Sequence, residues 1–117
     1  MNYKIIASDL DGTLFNSNTE VSRENRIAIE RLSSKGVNFV IATGRALSEI
    51  PDSLLKNSSI RYIISSNGAS VYDSVAKKKI IDFSMKDDDL QSLISTLFSY
   101  DAHLTVRSDG IGYVEAK

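Results

Sequence analysis

Three short apolar runs each break off into a small polar motif, and this pattern limits the folds open to the chain. Ile5-Ile6-Ala7 leads into Asp9-Leu10-Asp11-Gly12-Thr13, and Val37-Asn38-Phe39-Val40-Ile41-Ala42 leads into Thr43-Gly44-Arg45. Tyr62-Ile63-Ile64-Ser65 leads into Ser66-Asn67-Gly68. Nearly continuous apolar and β-branched residues, without polar alternation, mark strands of a parallel sheet covered on both faces. Helix signals lie between the runs. Ser22 is an N-cap candidate with Glu24 in the first turn, Ile27, Ala28, Ile29 and Leu32 follow, and Gly36 sits where a C′ glycine belongs. A second helix is expected over 47–56, with Pro51 either in its first turn or marking a break. Strand-helix-strand-helix-strand order implies an α/β fold with right-handed crossovers between parallel strands.

The grammar then changes. Val71-Tyr72-Asp73 and Ile80-Ile81-Asp82-Phe83 flank a polar segment and predict an antiparallel hairpin. An amphipathic helix is expected over 87–99, with Leu90, Leu93, Ile94, Leu97 and Phe98 on one face. Leu104-Thr105-Val106-Arg107 and Ile111-Gly112-Tyr113-Val114-Glu115 predict a second hairpin around Asp109-Gly110, a favoured turn pair. The division this suggests is 1–83 for the sheet unit and 84–117 for the start of an α+β unit.

Bulk properties narrow the function classes. At 117 residues the chain is one ordinary domain at most, and 42% hydrophobic with 25% charged residues is globular composition. A net charge of −1 provides no electrostatic footprint for nucleic acid or an anionic membrane. Cysteine is absent, which excludes disulfides and thiolate metal sites and fits a reducing, cytoplasmic compartment. No apolar run approaches membrane-spanning length.

In open parallel sheets ligands bind beyond the carboxyl ends of the strands, so the three polar motifs are expected on one rim. Asp9 and Asp11 are two apart. On an extended segment their carboxylates would converge, which is costly unless a cation or a shared proton relieves it. Gly12 permits a sharp turn whose N–H groups can face an anion. A hydroxyl followed by glycine at the next strand end, Thr43-Gly44, offers a donor and free amides for phosphate. Mg²⁺, which binds through few carboxylates plus substrate phosphate, suits the acids. Together these features point to phosphoryl chemistry.

The residues also carry a resemblance. Asp9-Leu10-Asp11-Gly12-Thr13-Leu14-Phe15 resembles the first motif of the haloacid dehalogenase-like (HAD) hydrolase superfamily, and Val40-Ile41-Ala42-Thr43-Gly44-Arg45 its second. Ser66-Asn67-Gly68-Ala69 followed by a hairpin resembles the Cof-like branch, whose α/β cap is inserted at about this point. The resemblance implies a partial Rossmann-like core followed by the beginning of a cap. It implies that Asp9 is the nucleophile, forming an aspartyl-phosphate, and that Asp11 is the general acid and base with a raised pKa. Asp9 and the Asp11 backbone would hold Mg²⁺, Leu10 and Gly44 would lend loop amides to the phosphate, and Thr43 would bind its oxygens. Arg45 would touch substrate or pair on the surface, and Asn67 would orient the loop. The implied activity is hydrolysis of small, sugar-phosphate-like monoesters, with a phosphomutase or a non-catalytic binding module as alternatives.

The family also needs a downstream lysine and a later acidic motif. Lys77-Lys78-Lys79 precedes the cap and reads as a solvated hairpin tip, and nothing after it resembles Gly-Asp-x-x-Asn-Asp. The chain therefore resembles the N-terminal part of a larger enzyme, with catalysis weakened accordingly. An apolar first strand left without its family neighbours would favour self-association. Taken singly, the motifs have plainer readings. Asp9 and Asp11 could cap a turn, Thr43 could be an N-cap, and Asn67-Gly68 could be turn formers. His103 reads as structural, and Tyr100 and Tyr113 as cap core.

Overall fold

The computed structural model describes residues 3–101, 103–108 and 111–114. Among the described residues seven strands and three α-helices follow in chain order: β1 (Ile5–Ser8), α1 (Arg23–Ser34), β2 (Asn38–Ala42), α2 (Asp52–Leu55), β3 (Ile60–Ser65), β4 (Ser70–Asp73), β5 (Lys78–Asp82), α3 (Asp87–Leu97), β6 (Thr105–Ser108) and β7 (Ile111–Val114). The first five strands form one sheet in the order β1-β2-β3-β4-β5, and β6 and β7 form a second sheet.

β1, β2 and β3 run parallel, with Ile5 opposite Asn38 and Ile41 opposite Ile63. The sheet then changes from parallel to antiparallel pairing, because β4 runs antiparallel to β3 and β5 antiparallel to β4. The α/β architecture expected from the sequence is thus present as a mixed sheet. The predicted hairpin extends the parallel strands instead of standing apart from them. Residues 66–69 make the switch in a turn too tight for a crossover helix, and it uses positive φ at Ser66, Asn67 and Gly68.

Local chemistry sets the crossover helix. The Ser22 Oγ accepts the Asn25 N–H at 3.2 Å and caps α1. At the other end Gly36 has φ +73, with its N–H on the Ser33 carbonyl and the Val37 N–H on the Leu32 carbonyl. That is a Schellman stop. The second expected helix is split: Leu47–Glu49 forms one 3-10 turn, and α2 begins only after Pro51. Of the two readings of Pro51, the break is the observed one, since it has no N–H to continue a helix.

The core sits between α1, α2 and the sheet, where Leu10, Ile41, Ile60 and Ile63 are fully buried. Full cover of β1 on both faces is not observed. Ile5 is 62% exposed and Ala7 is exposed; among the described residues β1 is the edge strand and pairs with β2 alone. Beyond the sheet, α3 buries none of its residues. Tyr100 and Tyr113, expected in a cap core, are exposed, as is His103. The β6–β7 register, Ser108 opposite Ile111, agrees with the predicted hairpin, whereas Asp109, Gly110 and Glu115 lie outside the described residues. Among the described residues no helix is long and apolar enough to cross a membrane.

Candidate active site

The first motif follows β1 directly. Asp9 keeps extended backbone angles, and its Oδ1 accepts the Leu10 N–H at 2.7 Å. Leu10–Leu14 then makes one wide helical turn, closed by the Phe15 N–H on the Leu10 carbonyl at 2.9 Å. Inside it only Asp11 and Gly12 depart from helical angles, with Gly12 at φ +72. The chain between the aspartates is therefore not the simple extended segment assumed from their spacing. The turn is anchored from beneath, because Leu10 is fully buried and Leu14 nearly so. Leu10 can reach an anion only through its main chain, and its N–H is already given to Asp9.

The second motif leaves β2. Thr43 is buried, its N–H prolongs the ladder to the Ile64 carbonyl at 2.9 Å, and its Oγ1 accepts the Arg45 N–H at 3.2 Å. The third motif is stitched to the second through the backbone. The Ser66 N–H donates to the Arg45 carbonyl at 2.9 Å, and the Asn67 N–H to the Thr43 carbonyl at 3.2 Å. Gly44 faces the Asn67 side chain at close range. A Cβ there would stand 2.9 Å from Asn67 Oδ1.

Arg45 joins the second motif to the first. Its Nε donates to Asp11 Oδ2 at 2.7 Å and its Nη2 to Asp11 Oδ1 at 2.6 Å, a two-pronged ion pair. The Nη1 group donates to the Glu49 carbonyl at 3.1 Å, and the guanidinium lies over the Phe15 ring at 5.2 Å from its centroid. The three polar motifs, distant in sequence, therefore meet on one rim.

Two supports escaped the sequence reading. Glu49 accepts the Ala46 N–H at 2.7 Å and offers its carbonyl to Arg45, while Phe15 underlies the guanidinium. The spacing of four between Arg45 and Glu49 was the available signal, and Phe15 follows the acidic turn at once.

The hydrogen bonds from Arg45, reinforced by its charge, hold the Asp11 carboxyl below the usual carboxylate range and push Arg45 upward, against a smaller opposing effect of desolvation. A raised value at Asp11 was expected; this arrangement produces the reverse.

For a metal, the turn supplies the Asp9 carboxylate and the Asp11 main-chain carbonyl, since both Asp11 carboxylate oxygens are taken by Arg45, and among the described residues no group of three or more His, Cys, Asp or Glu side chains could hold an ion. Such a donor set suits Mg²⁺ shared with a phosphate and water, not a closed protein cage. Beside the rim a cleft of about 620 Å³ is lined by Ser65, Ser66, Asn67 and Ser70 on the sheet side, and by Leu90, Leu93, Ile94 and Leu97 of α3. The Ser70 Oγ is buried without a hydrogen-bond partner among the described residues.

With this rim in place, the profile of the haloacid dehalogenase-like hydrolases matches residues 6–117. The chain belongs to that family. Among curated relatives it is 45% identical over 74 residues to the 5-amino-6-(5-phospho-D-ribitylamino)uracil phosphatase YcsE of Bacillus subtilis strain 168, an alignment covering 61% of this chain and 28% of YcsE. To phosphatase YwpJ of the same strain it is 42% identical over 71 residues, covering 60% of this chain and 25% of YwpJ. A solved haloacid dehalogenase-like hydrolase from B. subtilis superposes with a TM-score of 0.82 at 30% identity, covering 97% of this chain and 40% of that one. A neighbour from Plasmodium vivax carries the description HAD/COF-like, with a TM-score of 0.66 at 33% identity over 83% of this chain and 36% of that one. The chain spans less than half the length of these proteins.

Proposed function

We propose that this rim is the nucleophile-bearing part of a Mg²⁺-dependent phosphatase acting on small, sugar-phosphate-like monoesters in the cytoplasm. In this reading 1–83 is the partial Rossmann-like core and 84–117 begins the cap. The observation that carries it is the junction of Asp9 and Asp11, at the exit of β1, with Thr43, Gly44 and Arg45 at the exit of β2.

An Asp9 carboxylate oxygen attacks phosphorus while the bond to the ester oxygen breaks, giving an aspartyl-phosphate and an alkoxide; Asp11, once it has left Arg45 and taken a proton from solvent, gives that proton to the alkoxide. In the second half, Asp11 takes a proton from water as that water attacks phosphorus. This releases inorganic phosphate and restores Asp9. The Thr43 hydroxyl and the Gly44 amide hold the non-bridging oxygens, and Asn67 fixes the loop against Gly44. Asp9 and the Asp11 main-chain carbonyl would hold Mg²⁺, which when bound neutralises charge on the phosphoryl oxygens.

The test is release of p-nitrophenol from p-nitrophenyl phosphate by this chain, with Mg²⁺ and with EDTA, beside Asp9→Asn. Expected turnover is weak, because the lysine and later acidic motif are not found in this sequence. It should vanish with EDTA and fall at least about a thousand-fold in Asp9→Asn. Equal turnover in the variant overturns the role of Asp9, and turnover indifferent to EDTA overturns the role of Mg²⁺. A folded chain with no turnover overturns the reading of these residues as sufficient for catalysis.

A further inference from the structure

We propose that Arg45 is a positioning residue with two mutually exclusive anionic partners. The Asp11 carboxylate occupies it in the free site, and phosphoryl oxygens take it in the filled site, so the arriving phosphoryl group releases Asp11. This rests on the phosphatase reading of the same rim.

The geometry of the guanidinium carries the argument. Both prongs that face Asp11 are used, at 2.7 and 2.6 Å, and both Asp11 oxygens are engaged by them. A planar fork of this kind fits a phosphoryl group as well as a carboxylate. The base of the fork is fixed. The Arg45 N–H sits on Thr43 Oγ1, its carbonyl receives the Ser66 N–H, its Nη1 is tied to the Glu49 carbonyl, and Phe15 lies beneath. The Arg45 guanidinium is therefore held against the acidic turn, while its own main chain is tied to the hydroxyl of Thr43.

Asp11 is held differently. Among the described residues Arg45 is its carboxylate's partner, and it sits in the wide turn beside Gly12. Its side chain is 56% exposed, against 27% for Arg45. An ion pair open to water on its acidic side is accessible to a more highly charged anion that fits the same fork. A phosphoryl dianion bound next to Thr43 brings more charge to the same fork. While the pair is closed, the Asp11 oxygens face the guanidinium, not a leaving group. Exchange frees the Asp11 oxygens from the guanidinium, so that they can turn toward the leaving group. It also keeps Asp9 and Asp11 from meeting an incoming anion as two uncompensated charges.

The experiment uses inorganic phosphate as the probe and the whole chain. Binding is read from the ³¹P signal of phosphate, and the ion pair from the ¹H–¹⁵N signal of the Arg45 Nε–H, with sodium chloride at matched ionic strength as control. Four chains are compared: wild type, Asp11→Asn, Arg45→Ala and the double variant, with Arg45→Lys standing in if the alanine variant fails to fold.

In wild type the Nε–H signal should lie downfield, and phosphate should move it saturably while chloride does not. Removing the competing carboxylate should raise phosphate affinity on the order of fivefold when Arg45 is present and less than about twofold when it is absent. An equal gain in both backgrounds would mean that only carboxylate–phosphate repulsion is at work, and it overturns the exchange. An Arg45 signal unmoved by phosphate, or no phosphate binding by any of the chains, also overturns it. The p-nitrophenyl phosphate assay with Asp9→Asn is independent of these readings, so failure of the exchange and failure of the phosphatase reading remain distinguishable.

Discussion

Gly44 tests whether the contact between the second and third motifs organises the rim. Its backbone lies outside the left-handed region, so an alanine there meets no penalty from φ. The obstacle is the neighbouring loop: the added Cβ would stand 2.9 Å from Asn67 Oδ1, 3.6 Å from its Cγ and 3.7 Å from its Nδ2. Asn67 cannot simply retreat along the chain. Its N–H is bonded to the Thr43 carbonyl, and its φ of +55 is set by the turn between β3 and β4. The side chain must therefore rotate, at a cost of roughly 0.5–1.5 kcal/mol if it leaves a rotamer well, or the loops must part at roughly 1–3 kcal/mol. Alanine recovers roughly 0.4–1 kcal/mol by restricting the unfolded chain. Gly44→Ala should therefore destabilise the protein by about 1 kcal/mol. With Asn67→Gly in place the obstacle is gone, and the same alanine should be neutral or stabilising by up to roughly 1 kcal/mol. Urea unfolding of the four chains of this cycle should give a coupling of about 1–2 kcal/mol. A coupling below about 0.5 kcal/mol would refute the claim that this close approach requires glycine.

Two further outcomes follow from the fold. Ile63→Ala, in the middle of β3 and fully buried between Ile41 on β2 and Tyr72 on β4, should cost about 2–5 kcal/mol in urea with an unchanged m-value; a loss under about 1 kcal/mol would mean the layer closes over the gap. Asp73 is held below the usual carboxylate range, chiefly by the Ala76 N–H and further by Arg61 and the Val75 N–H. A depressed folded-state pKa contributes stability above the unfolded value that is lost as pH falls through the folded one. Asp73→Asn should therefore be less stable near neutrality and lose less stability on acidification than wild type, measured as thermal midpoint against pH. Parallel acid limbs for the two proteins would refute this.

What could be read from the sequence is what local chemistry dictates. The apolar runs of β2 and β3, the Ser22 cap, the Gly36 stop and the antiparallel hairpin 70–82 all follow from periodicity and capping residues. The meeting of the three motifs on one rim followed from topology alone. What escaped depended on partners far along the chain. The pairing of Arg45 with Asp11 spans 34 residues and leaves no trace in any local period. The exposure of Ile5 reflects the single neighbour of β1, and an apolar run reads the same at the edge of a sheet as at its centre. The spacing of Asp9 and Asp11 suggested an extended segment because nothing in the residues announces a wide turn anchored by Leu10 and Leu14. Tyr100 and Tyr113 were expected in the core of a cap, yet both rings are exposed, since among the described residues no layer covers them.

The order of the sheet carries a consequence for assembly. Tyr72 pairs with Lys79 and Ile63 with Tyr72, whereas Phe39 pairs with Ile60 and Ile5 with Asn38. The chain that must be closed to form each pairing therefore lengthens steadily from the fifth strand back to the first, and closure entropy lengthens with it. Hairpins form within microseconds, while distant parallel pairings wait for intervening helices to collapse onto a surface. By sequence separation alone, the hairpin of the last two strands of the sheet is the least costly to close and the docking of β1 onto β2 the most costly. The acidic turn rides on β1. On closure entropy alone, the acidic turn would join the rim of Thr43, Gly44 and Asn67 last, and Asp11 would meet Arg45 only with that final docking.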